Sequence, residues 1–267
     1  MKIKETTYPP LRTSNLAIGY TGGNRLNVVQ QHLDLELAAG EMVCVIGPNG
    51  CGKSTLLRTL AGLQRPITGS ILVEGKNLET LSAQDRAELL ALTLTDRVEV
   101  DKMSVHEIVS MGRYPYTNRF GKLTESDKAV VNEALDQVHL AGKAKCYISE
   151  LSDGERQRAM IAKVLAQSTS LLFFDEPTAH LDLPNRVSIM LLLSRLAKTT
   201  GKSILLSTHE LELAMQVADK LWLMNDRGVR VGTTDQLIAD GSFEAVFKSS
   251  QFSFDPVTGR FTVNKPF

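Results

Sequence analysis

The stretch of sequence that decides the fold reads Gly47-Pro48-Asn49-Gly50-Cys51-Gly52-Lys53-Ser54. It fits the pattern G-x-x-x-x-G-K-[ST] of a phosphate-binding loop. The five residues before it, 42–46, are all apolar and predict a strand buried on both faces, while residues 54–60 predict a helix. In this setting backbone N–H groups converge on phosphates, Lys53 reaches the β- and γ-phosphates, and Ser54 offers a hydroxyl to Mg²⁺. The sequence therefore predicts a nucleoside triphosphate site, and its flanking elements disfavour a plain glycine-rich turn.

A second apolar run, residues 171–174, ends in Asp175 and Glu176. Ligands collect at the carboxyl ends of strands in parallel sheets, so both acids are predicted to face the phosphates. Asp175 suits Mg²⁺ as the acidic partner of Ser54, and Glu176 suits the task of orienting or deprotonating a water molecule. A strand ending in two acids is, alone, more often the start of a solvated loop. The pairing with the phosphate-binding loop favours phosphoryl transfer to water.

Composition excludes several other classes of protein. The 267 residues contain 30 Lys and Arg and 30 Asp and Glu, so the balanced charge gives no reason to expect a nucleic-acid partner. The longest apolar runs have five residues, against the roughly 18 of a membrane-spanning helix. The first residues do not resemble a secretory signal, and the cytoplasm is the expected location. Three scattered cysteines predict neither a disulfide framework nor a zinc site.

Hydrophobic periodicity predicts the order of elements along the chain. An antiparallel pair of strands at 16–20 and 28–37, joined by a hairpin loop at 21–24, precedes the phosphate-binding loop. Helical spacing dominates three stretches, with caps at Ser104 and Thr124: residues 104–113, 124–139 and 154–168. Further strands are predicted at 71–73, 89–94, 204–206 and 221–224, further helices from about Ser82, Pro184 and Glu210, and a terminal hairpin over residues 252–263. The sequence thus predicts an α/β core with an inserted group of helices.

Residues 151–157, Leu-Ser-Asp-Gly-Glu-Arg-Gln, resemble the signature of the ABC-type ATPases. Residues 178–182 resemble that family's D-loop, His209 its switch histidine, and Tyr20 the aromatic residue that stacks on adenine. The resemblance covers about residues 11–245. Residues 111–115 and 178–182 are most similar to the ATPases of importers for iron-siderophore, haem or cobalamin.

The resemblance implies a P-loop NTPase (RecA-like) core with an antiparallel β subdomain and an inserted helical subdomain. Within a single domain over 11–260, the core would comprise 11–95 and 168–245, the helical subdomain 96–167 and a hairpin tail 246–267. It also implies a head-to-tail homodimer with two ATP molecules between the subunits, served by two membrane permease subunits and a substrate-binding protein. The chain would then lie at the cytoplasmic face of the membrane.

The same resemblance assigns roles to individual residues. Tyr20, the loop 47–54 and Thr55 would bind ATP; Ser54 and Asp175 would hold Mg²⁺; Glu176 and His209 would be catalytic. The signature would contact the partner's nucleotide through its residues Ser152, Asp153, Gly154 and Glu155. Asp182 would act across the dimer. Alone, Ser152 and Glu155 fit a capping box, His209 a turn residue and Tyr20 a core aromatic.

The chain departs from the family pattern at two places. Thr95 stands where a glutamine sensor is usual, so either Thr95 or Asp96 would act through a bridging water, or coupling at this position would be altered. Asp153 and Glu155 replace a glycine and a glutamine, which adds negative charge near phosphate and is expected to weaken closure of the dimer.

Two functions from different classes remain open on the sequence. The first is the energising subunit of an importer, with its docking groove in residues 104–118 and with Arg113 and Tyr114 as contacts. The second is a soluble ABC-type ATPase that serves assembly or regulation of a protein complex. A P-loop kinase would explain neither the signature nor His209.

Overall fold

The computed structural model describes residues 8–22, 25–94, 102–118, 121–247, 252–256 and 258–264. The strands are β1 (Leu11–Gly22), β2 (Arg25–Leu33), β3 (Glu36–Leu37), β4 (Met42–Ile46), β5 (Thr68–Val73), β6 (Lys76–Asn77), β7 (Leu90–Thr93), β8 (Leu171–Asp175), β9 (Ser203–Ser207), β10 (Lys220–Asn225), β11 (Gly228–Gly232), β12 (Phe252–Asp255) and β13 (Arg260–Val263). The α-helices are α1 (Lys53–Leu60), α2 (Ala83–Leu89), α3 (Val105–Ser110), α4 (Glu125–Gln137), α5 (Asp153–Ala166), α6 (Leu183–Thr200), α7 (Leu211–Val217), α8 (Thr234–Ala239) and α9 (Ser242–Val246).

A six-stranded sheet in the order β11-β10-β4-β9-β8-β7 forms the centre of the molecule. Its strands from β10 to β7 pair in parallel, and β11 runs antiparallel at one edge. Every residue of β4, β8 and β9 is buried, as the continuous apolar runs predict. Because these strands are parallel, the residues that follow β4, β8 and β9 meet at one edge of the sheet.

The second sheet is antiparallel, with the order β2-β1-β5-β6 and β3 attached to β1. The prediction of one strand over 28–37 is wrong, because the structure divides it into β2 and β3. The buried Thr13 hydroxyl enters the gap: it donates to Leu33 O and accepts from Leu35 N, both at 2.8 Å. A side-chain hydroxyl thus takes the place of a backbone pairing, which apolar alternation does not reveal. Residues 23–24 of the predicted hairpin loop lie outside the described residues.

Three helices form a layer beside the central sheet, and each begins with a capping box. The pairs are Ser104 with Glu107 before α3, Thr124 with Asp127 before α4, and Ser152 with Glu155 before α5. The predicted caps at Ser104 and Thr124 are therefore confirmed. The helices expected near Pro184 and Glu210 are present as α6 and α7. The division of the chain into domains stays a prediction.

Arg113 lies inside the helical layer, only 8% exposed. Its Nε donates to Asp127 Oδ1 at 2.9 Å and its Nη1 to Ala166 O at 2.8 Å. The guanidinium also lies 4.0 Å from the centre of the Tyr116 ring. The expectation that Arg113 contacts a partner is thus wrong, because its buried guanidinium is bonded to Asp127 of α4 and Ala166 of α5. Tyr114, beside it, is 62% exposed.

The predicted terminal hairpin is present as β12 and β13. It packs on α9 through Phe254, whose ring stacks on Phe243 at 4.9 Å. Within the hairpin, the ring centres of Phe254 and Phe261 lie 5.0 Å apart. The sequence analysis missed β11, α8 and α9, which are short and follow a turn at Asp226-Arg227. None of the helices in the described part of the chain has the length and apolar character to cross a bilayer.

We expect Arg113→Ala to destabilise the fold by about 3 kcal/mol, because it leaves the buried Asp127 carboxylate without its cation. Tyr114→Ala is the matched control on the neighbouring exposed residue and should change stability by less than about 0.5 kcal/mol. Urea unfolding of both variants measures the difference. Equal unfolding midpoints would contradict the structural role given to Arg113.

Candidate active site

The phosphate-binding loop follows β4 and leads directly into α1. At Gly52 the backbone has φ +107°, and a Cβ there would lie 2.4 Å from Val29 Cγ1. A larger residue would be strained by its own backbone and would collide with β2. The loop is therefore seated against the antiparallel sheet, and the glycine at this position is needed for packing as well as for access to phosphate.

Gln30 holds the phosphate-binding loop in place through hydrogen bonds. Its buried side-chain amide donates to Cys51 O at 3.2 Å and also to Asn225 O at the end of β10. One side chain of β2 therefore joins the loop to the central sheet. The sequence analysis missed Gln30, because a single glutamine in a predicted strand carries no local signal of such a contact.

Lys53 lies within the loop and is largely buried. Its Nζ donates to Gly47 O at 2.8 Å and to Pro48 O at 3.1 Å. The ammonium group is thus held inside the loop by two of its carbonyl oxygens, and its contact with phosphate stays a prediction. Burial raises the pKa of the Cys51 thiol in the same loop, so this cysteine is held in its neutral form.

Ser54 and Asp175 meet across the top of the sheet. Ser54 Oγ donates to Asp175 Oδ1 at 3.0 Å, and Ser207 Oγ donates to the same oxygen at 2.6 Å. Ser207 was not predicted from the sequence. It ends the apolar strand β9, and that place at a strand end was a signal that could have identified it. A hydroxyl and a carboxylate this close form an oxygen donor set that fits Mg²⁺. No cluster of three or more His, Cys, Asp or Glu suited to a metal occurs within the described residues.

Glu176 and His209 form a hydrogen-bonded pair, with His209 Nε2 at 2.6 Å from Glu176 Oε1. The backbone of Glu176 has φ +51°, a conformation uncommon outside glycine that clusters at functional sites. The turn is held by the Glu176 N–H, which donates to Ser207 Oγ at 3.0 Å and lies 3.2 Å from Ser207 O. The structure thus brings together the two residues predicted to be catalytic.

Tyr20 lies on β1 beside α1, and its hydroxyl shares a hydrogen bond with Thr55 Oγ1. The ring is 48% exposed, so a face remains open at the edge of the loop. This position matches the expectation that Tyr20 stacks on adenine, which itself stays a prediction. Thr95 and Asp96 lie outside the described residues.

The signature surrounds the N-terminus of α5. Ser152 accepts from Glu155 N at 3.3 Å and Glu155 Oε2 accepts from Ser152 N at 3.2 Å, so the capping box is formed. Glu155 Oε1 also pairs with Lys143 at 2.6 Å, and Asp153 pairs with Arg156 at 2.8 Å. The Lys143 ammonium and the backbone of Ser152 lower the pKa of Glu155. Each added acid therefore has its own cation.

The signature and the D-loop are linked through Asn185. A Cβ on Gly154 would lie 2.3 Å from Asn185 Oδ1, so the Asn185 side chain fills the space that a larger residue would need at this position. Asn185 also donates from Nδ2 to Asp182 Oδ1 at 2.7 Å, and Asp182 caps α6. Asn185 was missed from the sequence, and nothing in the local pattern marks it.

Arg186 connects the D-loop to the segment that carries His209. Its Nε donates to Leu181 O at 2.6 Å, and its Nη1 pairs with Glu210 Oε1 at 2.7 Å. Glu210 is the neighbour of His209 in the chain. A continuous series of contacts thus leads from Gly154 through the D-loop to the catalytic pair, and Arg186 too was missed by the sequence analysis.

Comparison with known proteins agrees with this geometry. The family model described as "ABC transporter" matches residues 30–179, more than half of the chain. An uncharacterised ABC transporter ATP-binding protein of Methanocaldococcus jannaschii is 38% identical over 96% of this chain and 88% of its own length. The iron(3+)-hydroxamate import ATP-binding protein FhuC of Bacillus subtilis is 35% identical over 94% and 92%. A chain of a proposed metal-chelate type ABC transporter, solved in an inward-facing conformation, superposes with a TM-score of 0.77 at 31% identity over 95% of both chains.

Gly154→Ala should destabilise the protein by about 1–3 kcal/mol, because its Cβ collides with the Asn185 side chain. Asn185→Ala removes the colliding atoms, so the double variant should be more stable than the sum of the two single effects allows. Unfolding in urea of the four proteins gives this coupling free energy. Strict additivity would contradict the close approach of α5 and α6.

Proposed function

Because the chain belongs to the ABC transporter family, whose members bind and hydrolyse ATP, we propose that it powers an importer of metal chelates. The observation that carries the ATP-hydrolysing part of the proposal is the meeting of Ser54 with Asp175 beside the bonded pair Glu176 and His209. Iron-siderophore, haem and cobalamin are the chelates in question. The similarity to an iron(3+)-hydroxamate import ATP-binding protein and to a metal-chelate type transporter supports this class of cargo.

The residues of the site divide the reaction among them. Backbone N–H groups of the loop and the Lys53 ammonium bind the phosphate oxygens and the charge that develops on them. Mg²⁺, held by Ser54 and Asp175, would neutralise charge on the β- and γ-phosphates. Glu176 accepts a hydrogen bond from the attacking water and takes its proton, while His209 fixes the carboxylate through the 2.6 Å contact. Water attacks the γ-phosphorus, and ADP and phosphate leave.

We further propose that two copies act as a head-to-tail dimer. In such a dimer Ser152 and the backbone of Gly154, at the start of α5, would meet the γ-phosphate bound by the other subunit. The N-terminus of α5 carries the positive end of its dipole, which favours that phosphate. Asp182 lies beside this contact and would act across the same interface.

The partners we propose are two membrane permease subunits and a substrate-binding protein. The chain would lie at the cytoplasmic face of the membrane as a peripheral subunit. Within residues 104–118, Tyr114 presents an exposed aromatic ring, while the buried Arg113 supports the turn beneath it. An exposed aromatic residue on a rigid support is a favourable anchor for a docking helix.

Glu176→Gln is expected to leave ATP binding intact and to lower the rate of hydrolysis by at least about 10²-fold, because the amide cannot take the proton from water. It should also accumulate as a dimer loaded with ATP. Phosphate release, equilibrium ATP binding and gel filtration measure the three effects. Glu212→Gln, an exposed acid on α7, is the control, and unchanged turnover in Glu176→Gln would refute the role of Glu176.

Affinity purification of the tagged chain from detergent-solubilised membranes tests the transporter proposal. We expect a stoichiometric polytopic partner and ATPase activity in the eluate, and Tyr114→Ala should lose the partner while Leu63→Ala, another exposed apolar residue, should keep it. Retention of the partner by Tyr114→Ala would place the docking surface elsewhere. Recovery of soluble partners alone would favour an ATPase that serves assembly of a protein complex.

A further inference from the structure

We propose that a cavity between α5, α6 and the segment that follows α4 binds a small oxyanion of the phosphate, sulfate or carboxylate type. The cavity has a volume of about 230 Å³ and is lined by His139, Arg158, Ser188, Leu191, Leu192 and Arg195. It lies apart from the phosphate-binding loop and from the catalytic pair. We refer to these six residues as the basic cavity.

Positive charge is concentrated in the basic cavity. Arg158 and Arg195 are permanently charged, and the lining contains no Asp or Glu. Neither guanidinium forms an ion pair with a carboxylate in the part of the chain that the structure describes. The chain as a whole carries equal numbers of acids and bases, so this excess is a local property.

Three other buried or half-exposed arginines of the chain behave differently. Arg113, Arg156 and Arg186 each pair with a carboxylate at 2.7–2.9 Å. Arg158 donates instead to the neutral Ser188 hydroxyl at 2.7 Å, and Arg195 contacts Gln137 O at 3.2 Å and His139 Nε2 at 3.3 Å. These contacts fix the orientation of both guanidinium groups but do not neutralise their positive charge. Two arginines with a serine hydroxyl form a donor set that suits an oxyanion.

Two leucines, Leu191 and Leu192, form the apolar part of the basic cavity. Leu192 is buried, whereas Leu191 is 54% exposed, so a bound anion would be shielded from water on the Leu192 side and open to it elsewhere. Charge interactions are stronger where water is displaced. The cavity volume is several times the roughly 30 Å³ that one water molecule occupies, which leaves room for a phosphate or a small carboxylate.

The position of the basic cavity gives the anion a role. Arg158 lies on α5, which begins at the signature, and Arg195 lies on α6, which begins at Asp182 of the D-loop. An anion bound to both would join the two helices about one helical turn beyond the contact between Gly154 and Asn185. It would therefore stabilise the placement of the signature relative to the D-loop.

Calorimetric titration tests the site directly. The parent protein for this experiment is the full chain with Lys53→Ala, a substitution that weakens anion binding at the phosphate-binding loop. It is titrated in the absence of nucleotide with sodium phosphate, sodium sulfate or sodium citrate, at constant ionic strength. Leu191→Asp places a carboxylate beside the guanidinium groups and should weaken binding at least about tenfold, by occupation and repulsion. Leu191→Asn introduces a side chain of the same shape as aspartate but without its charge, and this variant should bind the anions as the parent does. Binding of phosphate and sulfate alone would identify a tetrahedral anion, and binding of citrate alone a carboxylate.

Arg158→Gln with Arg195→Gln is the second variant, and it should also lose binding. Hydrogen exchange gives an independent measurement: the anion should slow exchange in α5 and α6 of Leu191→Asn and leave Leu191→Asp unchanged. The proposal fails if the parent binds none of the three anions at millimolar concentration. It also fails if Leu191→Asp and Leu191→Asn bind them equally.

Discussion

The hydrogen bond between Ser54 and Asp175 is the contact on which the rest of the site depends. It joins residues 121 positions apart because β4 and β8 run parallel on either side of β9 and end at the same edge. The third strand contributes Ser207, whose hydroxyl bonds to the same Asp175 oxygen and whose main chain receives the Glu176 N–H. Three strand ends are thereby locked into one polar cluster. A shift of register in any of them would separate Ser54 and Asp175 from Glu176 and His209.

The helical layer is fixed to this core by contacts that tolerate little change. The buried Arg113 joins α4 to the end of α5, and Gly154 lets the beginning of α5 approach α6. The signature is thus held at both ends of its helix. Since Asn185 and Arg186 follow one another on α6, one turn of helix contacts the signature on one side and the segment after His209 on the other. Movement of the signature would reach the catalytic pair through these contacts.

The sequence predicted what local patterns determine. The strand, loop and helix around Lys53, the capped starts of α3 and α4, and the acids after β8 follow from spacing and residue type within a few positions. Gln30, Ser207, Asn185 and Arg186 were missed because their partners are distant in sequence or are main-chain atoms. The interruption after Leu33 escaped for the same reason, since the hydroxyl of Thr13, twenty residues away, replaces the backbone pairing. Arg113 was misplaced because a motif reveals that a residue matters and not whether it is buried.

The expected effect of the two acids in the signature on phosphate binding depends on the cations that lie beside them. On the sequence alone, Asp153 and Glu155 bring two negative charges to a helix end predicted to meet phosphate. In the structure Arg156 and Lys143 lie within 2.8 Å and 2.6 Å of them. The low pKa of Glu155 means that it remains ionised and keeps its hold on the Ser152 N–H down to acidic pH. At a distance an ion pair acts as a dipole, whose potential falls more steeply than that of a single charge. The repulsion expected between the signature and an incoming phosphate is therefore reduced by cations of the chain itself, while the positive end of the α5 dipole favours the phosphate.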